Sequence, residues 1–165
     1  MYLLDTNVVL ELRKARAGRT DAGLTGWAAG VPRQSQFLSA LSLLELETGA
    51  ARLAARDKPA GAALEAWIGN QVMQAFTGRI LAIDAAVVRR RAQLPYADSR
   101  DGLLAATALE HSLTLVTRNT AAFKAGKVKT FNPWGYTPDA EDEDMDWGQA
   151  SRTGPVWLKN LFIRS

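Results

Sequence analysis

The sequence predicts an α/β domain of three layers, with a central, mainly parallel sheet flanked by helices. Apolar runs of strand length alternate with helix-length segments across residues 1–134. The chain has 165 residues and 47% hydrophobic content, enough for one domain with a real core. No internal repeat interrupts the alternation.

Tyr2-Leu3-Leu4 reads as a short buried strand, followed directly by Asp5-Thr6-Asn7. Val8 to Lys14 reads as a helix capped by Thr6 or Asn7. Residues 15–36 contain Gly18, Gly23, Gly26, Gly30 and Pro32 and read as a connection with a short helical piece near Trp27. Phe37 to Ala40 is a second strand. Ser42 then caps a helix from Leu43 to Ala55, with Leu43, Leu46, Ala50 and Leu53 at helical spacing and Glu45 in the first turn. Pro59 opens another helix, roughly to Phe76. Ile80 to Ile83 is a third strand, and Asp84 caps a helix whose Arg89-Arg90-Arg91 reads as a solvated face.

Asp98 or Ser99 caps the next helix and places Asp101 in its first turn. Free N–H groups and the helix dipole favour a carboxylate there. Gly102, Ala105, Ala106 and Ala108 let this helix approach a neighbour closely. Leu113 to Val116 is a fourth strand ending in the polar Thr117-Arg118-Asn119, and Val128 to Phe131 is the last. Residues 135–165 break the pattern and read as an acidic C-terminal extension.

Composition narrows the chemistry. The chain has no cysteine, which removes disulfides, thiol nucleophiles and Cys-based metal sites. It has one histidine, His111, which follows a helix end and suits a helix terminus better than a general base. The first apolar run stops at Asp5, no run approaches membrane-spanning length, and a cytoplasmic protein is expected. Net charge is +3, but six of the 17 acids crowd into residues 139–146, so the body is more basic than the total suggests. That balance weakly favours an anionic partner. No Gly-x-Ser-x-Gly elbow and no Gly-rich phosphate loop is present.

Three acids stand where such a fold places its sites. Asp5 follows the first strand, while Glu45 and Asp101 open helices. In wound parallel sheets, ligands bind beyond the carboxyl ends of strands. If these carboxylates converge they repel, at a cost of about 4 kcal/mol for a pair ~4 Å apart at an effective dielectric near 20. No Lys or Arg adjoins Asp5 or Glu45 in sequence, and Arg100 flanks Asp101. A hard divalent cation, Mg2+ or Mn2+, would neutralise them and suit phosphodiester hydrolysis. For Asp5 alone, simple capping of the first helix is the expected role.

At these residues the chain resembles the PIN-domain ribonucleases, in particular the FitB-like branch of the VapC toxins from type II toxin–antitoxin pairs. The resemblance rests on Leu3-Leu4-Asp5-Thr6-Asn7-Val8, on Ser42-Leu43-Leu44-Glu45-Leu46, on Asp101-Gly-Leu-Leu-Ala-Ala-Thr-Ala108 and on Leu115-Val-Thr-Arg-Asn119. Thr77-Gly-Arg-Ile80 and Phe131-Asn-Pro-Trp134 add to it, and it covers residues 1–134. It implies a Mg2+-dependent endoribonuclease, with Asp5, Asp101 and Glu45 at the metal and Asn119 completing the site. The family commonly has a fourth acid at the position of Asn119, and an amide there argues against tight binding of a second metal. Leu10 is a second departure, from a small hydroxyl residue.

The resemblance further implies a VapB- or FitA-like antitoxin partner, an RNA substrate and a homodimer, with no direct DNA binding by this chain and no membrane association. Residues 43–76 are the expected docking arm, although ordinary core packing explains their apolar stripe as well. Two other readings stand beside it. One is a domain that only binds RNA or antitoxin, and the other a phosphomonoesterase, whose chemistry wants a second Asp where Asn7 stands. The acidic extension mimics a polyanion; a solvated, flexible segment is the simpler expectation.

Overall fold

Five strands, β1 Tyr2–Leu4, β2 Gln36–Ser39, β3 Ile80–Leu81, β4 Thr114–Val116 and β5 Thr130–Phe131, form one sheet in the order β3-β2-β1-β4-β5. Every neighbouring pair is parallel. The computed structural model describes residues 1–137, so the expected acidic segment lies, from residue 138 onward, outside the described residues. Parallel pairing requires crossovers, and helices supply them.

The strand alternation sorts the core into two faces. Leu4, Leu38 and Val116 point to one side and pack with Val8, Leu12, Trp27, Leu46, Trp67 and Phe76. Leu3 and Leu115 point to the other and pack with Leu104, Ala105, Ala108 and Phe123. Helices α1 Thr6–Lys14, α2 Ala22–Gly30, α3 Ala40–Ala54, α4 Lys58–Trp67 and α5 Met73–Ala75 serve the first face. The second face is covered by α7 Ser99–Glu110, against which α6 Ala85–Ala92 packs. These are the three layers expected from the sequence.

Several boundaries move. The connection 15–36 contains a nine-residue helix, α2, and not a short piece. The Asp21 carboxylate caps it through Leu24 N–H (2.9 Å) and also accepts from Gly135 N–H (3.0 Å). Gly23, a loop signal in sequence, lies on the Tyr136 backbone, where a Cβ would collide. The glycine serves close packing there, which composition does not reveal.

Helix α3 begins three residues earlier than expected. Ser39, not Ser42, caps it, accepting from Leu41 N–H at 3.1 Å. Ser42 is buried inside the helix. Glu45 therefore sits in the second turn, and no acid lies in the first.

Asp57 caps α4, which runs through a π-helical stretch, Ile68–Val72, into α5. Asp84 caps α6 as expected, through Ala86 and Val87 N–H at 3.0 Å. In the Thr77-Gly-Arg-Ile80 segment, Arg79 has a structural role. Its guanidinium donates to Gln36 O (2.5 Å), Arg33 O (2.7 Å) and Ala75 O, tying β3 to the approach to β2.

Candidate active site

The sheet order reverses between β1 and β4: the chain leaves β1 toward β2 and β3, then returns on the other side. Open α/β folds bind ligands at such a switch point, beyond the strand ends. Asp5 follows β1 there and Thr117 follows β4. The Asp5 amide donates to Val116 O at 3.0 Å, which extends the parallel ladder by one residue and fixes the Asp5 backbone.

Asp5 occupies the cap position of α1, yet its side chain makes no capping hydrogen bond. The simple capping role is therefore not what the carboxylate does. It is 1% exposed and turned into the switch point. Its Oδ2 accepts from Thr117 Oγ1 at 2.7 Å, and its Oδ1 from Arg100 Nη2 at 2.6 Å.

Glu45 and Asp101 reach the same guanidinium. Arg100 Nε donates to Glu45 Oε1 at 2.5 Å, Nη2 to Glu45 Oε2 at 3.2 Å, and Nη1 to Asp101 Oδ1 at 2.8 Å. Glu45 Oε2 also accepts from Thr6 Oγ1. The position of Glu45 in the second turn of α3 explains this reach: its side chain leaves the flank of the helix, not its tip. Asp98 Oδ1 caps α7 by accepting from Asp101 N–H at 2.8 Å, which sets the turn carrying Arg100 and Asp101.

The three carboxylates thus stand around one cation, with a net charge of −2 for the four side chains. Burial works against the charge on Arg100, but its hydrogen bonds to Glu45 and the charge of Asp5 outweigh it and hold its pKa above the ordinary guanidinium value. The sequence reading assigned neutralisation to a metal. In the folded chain, Arg100 offsets one of the three negative charges.

Thr6, Thr117 and Arg100 are the site residues that sequence reasoning passed over. Thr6 and Thr117 looked like a cap and part of a polar turn. Arg100 was seen as a neighbour of Asp101, with no means of knowing that it also faces Asp5 and Glu45. Asn119 stands apart: its side chain is exposed, and its N–H donates to Thr117 Oγ1 at 3.1 Å. No hydrogen bond joins its amide group to the acids among the described residues. His111 ends α7, with its N–H on Thr107 O, and is exposed.

The donor set, carboxylates with neither thiol nor imidazole, fits a hard divalent cation. Among the described residues, no three His, Cys, Asp or Glu side chains form a metal-holding group in the present arrangement. The carboxylates are spread around the guanidinium instead. A basic cleft opens beside Asn7, lined also by Arg13, Lys14, Arg19, Arg118 and Trp134. Its acid, Glu11, pairs with Lys14 at 2.8 Å, and Arg118 lies over the Trp134 ring at 5.7 Å. No helix among the described residues is long and apolar enough to cross a membrane.

This fold and this cluster define a class: the chain belongs to the PIN-domain family, whose model matches residues 2–128. Within it the chain is similar to Toxin FitB of Neisseria gonorrhoeae, 35% identical over 81% of this chain and 99% of that one. It is 32% identical to VapC ribonuclease Y4jK of Sinorhizobium fredii, over 81% and 98%. Among solved structures, the crystal structure of FitAcB from Neisseria gonorrhoeae superposes with a TM-score of 0.72 at 32% identity, over 81% of this chain and 99% of that one. The structure of FitAB bound to an IR36 DNA fragment gives the same TM-score at 31% identity, covering 84% and 99%.

Proposed function

We propose that this protein is the toxin of a type II toxin–antitoxin pair and acts as a Mg2+-dependent endoribonuclease. The observation that carries the reading is the convergence of Asp5, Glu45 and Asp101 on a single positive charge at the switch point. Three acids from three distant segments gather there against their own repulsion. Asp5 and Asp101 would hold the metal, and Glu45 would complete the acidic group. The metal supplies Lewis acidity toward a phosphodiester and makes a water nucleophilic. Thr117 and Thr6 hold the outer oxygens of Asp5 and Glu45, leaving the inner ones aimed at the centre. The basic cleft suits the phosphates of an RNA strand.

The relatives named FitB and VapC, and the neighbouring structure of FitA with FitB, support an antitoxin partner for this chain. The arm of residues 43–76 is the proposed docking surface. Its Leu64, Trp67, Val72 and Phe76 are core, while Leu44 and Met73 are exposed apolar positions available to a partner. A cytoplasmic homodimer, with DNA contacts left to the antitoxin, completes the reading. The ring's occupation by Arg100 favours one second reading, a domain that binds RNA or antitoxin without cutting.

The deciding experiment is cleavage of total RNA by the full chain freed of antitoxin, in Mg2+ and in chelator, with Asp5→Asn and Asp101→Asn as controls. Cutting by the parent in Mg2+ alone, and by neither variant, is expected. Equal cutting by parent and variants, or none by any protein, overturns the nuclease assignment.

A further inference from the structure

The same guanidinium that balances the acids also stands in the way of a metal. Each carboxylate oxygen that faces the centre is taken by an Arg100 N–H, with N···O distances of 2.5, 2.6 and 2.8 Å. Mg2+ needs oxygens at about 2.0–2.1 Å. A cation held by these side chains would therefore sit where the planar guanidinium now lies, and the two cannot share the space. Both also satisfy the same charge.

Two details make exchange feasible without refolding. Arg100 is in the first turn of α7 and its side chain is 31% exposed, so rotation about its own bonds frees it to solvent. Two of the three acids keep a second partner when it leaves. Asp5 is held from behind by Thr117 and Glu45 by Thr6, both through oxygens other than those closest to Arg100.

We propose that Arg100 is an internal counter-cation that competes with the divalent metal for Asp5, Glu45 and Asp101, the two occupying the ring in alternation. This rests on the nuclease reading above for the identity of the competing ion. Arg100 keeps the acids paired in the metal-free protein and weakens apparent metal affinity. Because Arg100 makes a planar three-sided fork and Lys offers only a point charge, lysine is a poor replacement in this role.

The test is Mn2+ binding by calorimetry on the full chain and on its Arg100→Ala and Arg100→Lys variants, with Asp5→Asn/Asp101→Asn as the blank. Arg100→Ala is expected to bind about tenfold tighter than the parent, in keeping with loss of several partly exposed ion pairs. Arg100→Lys should fall nearer Arg100→Ala than the parent. A simple long-range repulsion would instead leave Arg100→Lys like the parent, and that result overturns the competition. A second readout needs no variant: titrating the 15N-labelled parent with Mg2+ should move the Arg100 Nε–H resonance to a solvent-exchanging position. An unmoved resonance at saturating Mg2+ overturns the proposal as well. If no protein in the set binds Mn2+ or Mg2+, the metal reading itself falls. If all but the blank bind equally, only the competition does.

Discussion

Thr117 and Asp5 are both buried, lie 112 residues apart, and are joined by a 2.7 Å hydrogen bond from hydroxyl to carboxylate. The bond fixes which way Asp5 turns, because it claims the oxygen away from Arg100. Removing the hydroxyl leaves a buried carboxylate oxygen without a donor, at a cost of about 1–3 kcal/mol. Thr117→Val should lower thermal stability and reduce RNA cleavage about 10- to 100-fold, the usual effect of losing a group that orients a ligand. Thr117→Ser should restore most of both. Melting curves and cleavage rates on the three proteins check this.

Asp5 and Asp101 are equal partners in the proposed chemistry but not in stability. The Asp5 side chain is 2% exposed and doubly bonded, while that of Asp101 is 24% exposed. Asp5→Asn places an amide among two donors and should cost about 2 kcal/mol. Asp101→Asn removes one of three like charges and should change stability by under about 1 kcal/mol. Urea unfolding of the metal-free proteins separates the two. Equal destabilisation would mean that the ring is not as asymmetric as its burial implies.

Two glycines give opposite expectations for the same substitution. Gly61 faces the Ala54 backbone at the α3–α4 contact, and a Cβ there would overlap it. Gly61→Ala should cost about 1–3 kcal/mol as overpacking. Gly49, inside α3, has nothing within 4 Å of an added Cβ. Gly49→Ala should stabilise by about 0.4–1 kcal/mol through helix propensity and a less flexible unfolded chain. Paired melting curves decide both.

Burial raises the Tyr96 phenol above its ordinary value near 10; Gly126 N–H pulls it down and the charge of Asp101 pushes it up. The hydroxyl donates to Phe123 O at 3.0 Å and accepts from Gly126 N–H at 3.2 Å, closing the loop before α7 onto the turn before β5. A raised folded pKa leaves this contribution intact below about pH 10 and removes it as pH climbs through the folded value. Stability should therefore decline on the alkaline side, and Tyr96→Phe should lack that decline. At pH 7 the variant should be weaker by about 1 kcal/mol from the lost hydrogen bond. Melting temperature from pH 8 to 11 is the measurement.

The parallel layering was readable because it depends on local period and on element order, which sequence displays. Asp84 is readable as a cap, and Asp98 as one of two candidates with Ser99, for the same reason: their partners lie within three residues. Helix α2 reads in sequence only as a short piece near Trp27 because Gly23 and Gly26 carry a loop signal, and the close approach of Tyr136 that explains Gly23 is tertiary. Ser42 reads as the cap because Ser39 reads as part of the second strand; both carry the hydroxyl, and only the end of β2 decides between them. The three acids could be named, but not what gathers them. A reading along the chain gives Arg100 one acidic neighbour, Asp101, whereas the fold gives it two more from 55 and 95 residues away.

The placement of β1 at the middle of the sheet has a temporal side. It is the first strand of this sheet to be synthesised, yet one of its two flanking strands, β4, begins at Thr114. Until then its Leu3 and Leu4 have half a lattice to join, and Asp5 has neither Thr117 nor Arg100. Pairing across such separations is slow to form. A nascent chain arrested before α7 therefore carries no assembled cluster, and the acids come together only when synthesis of the domain is nearly finished.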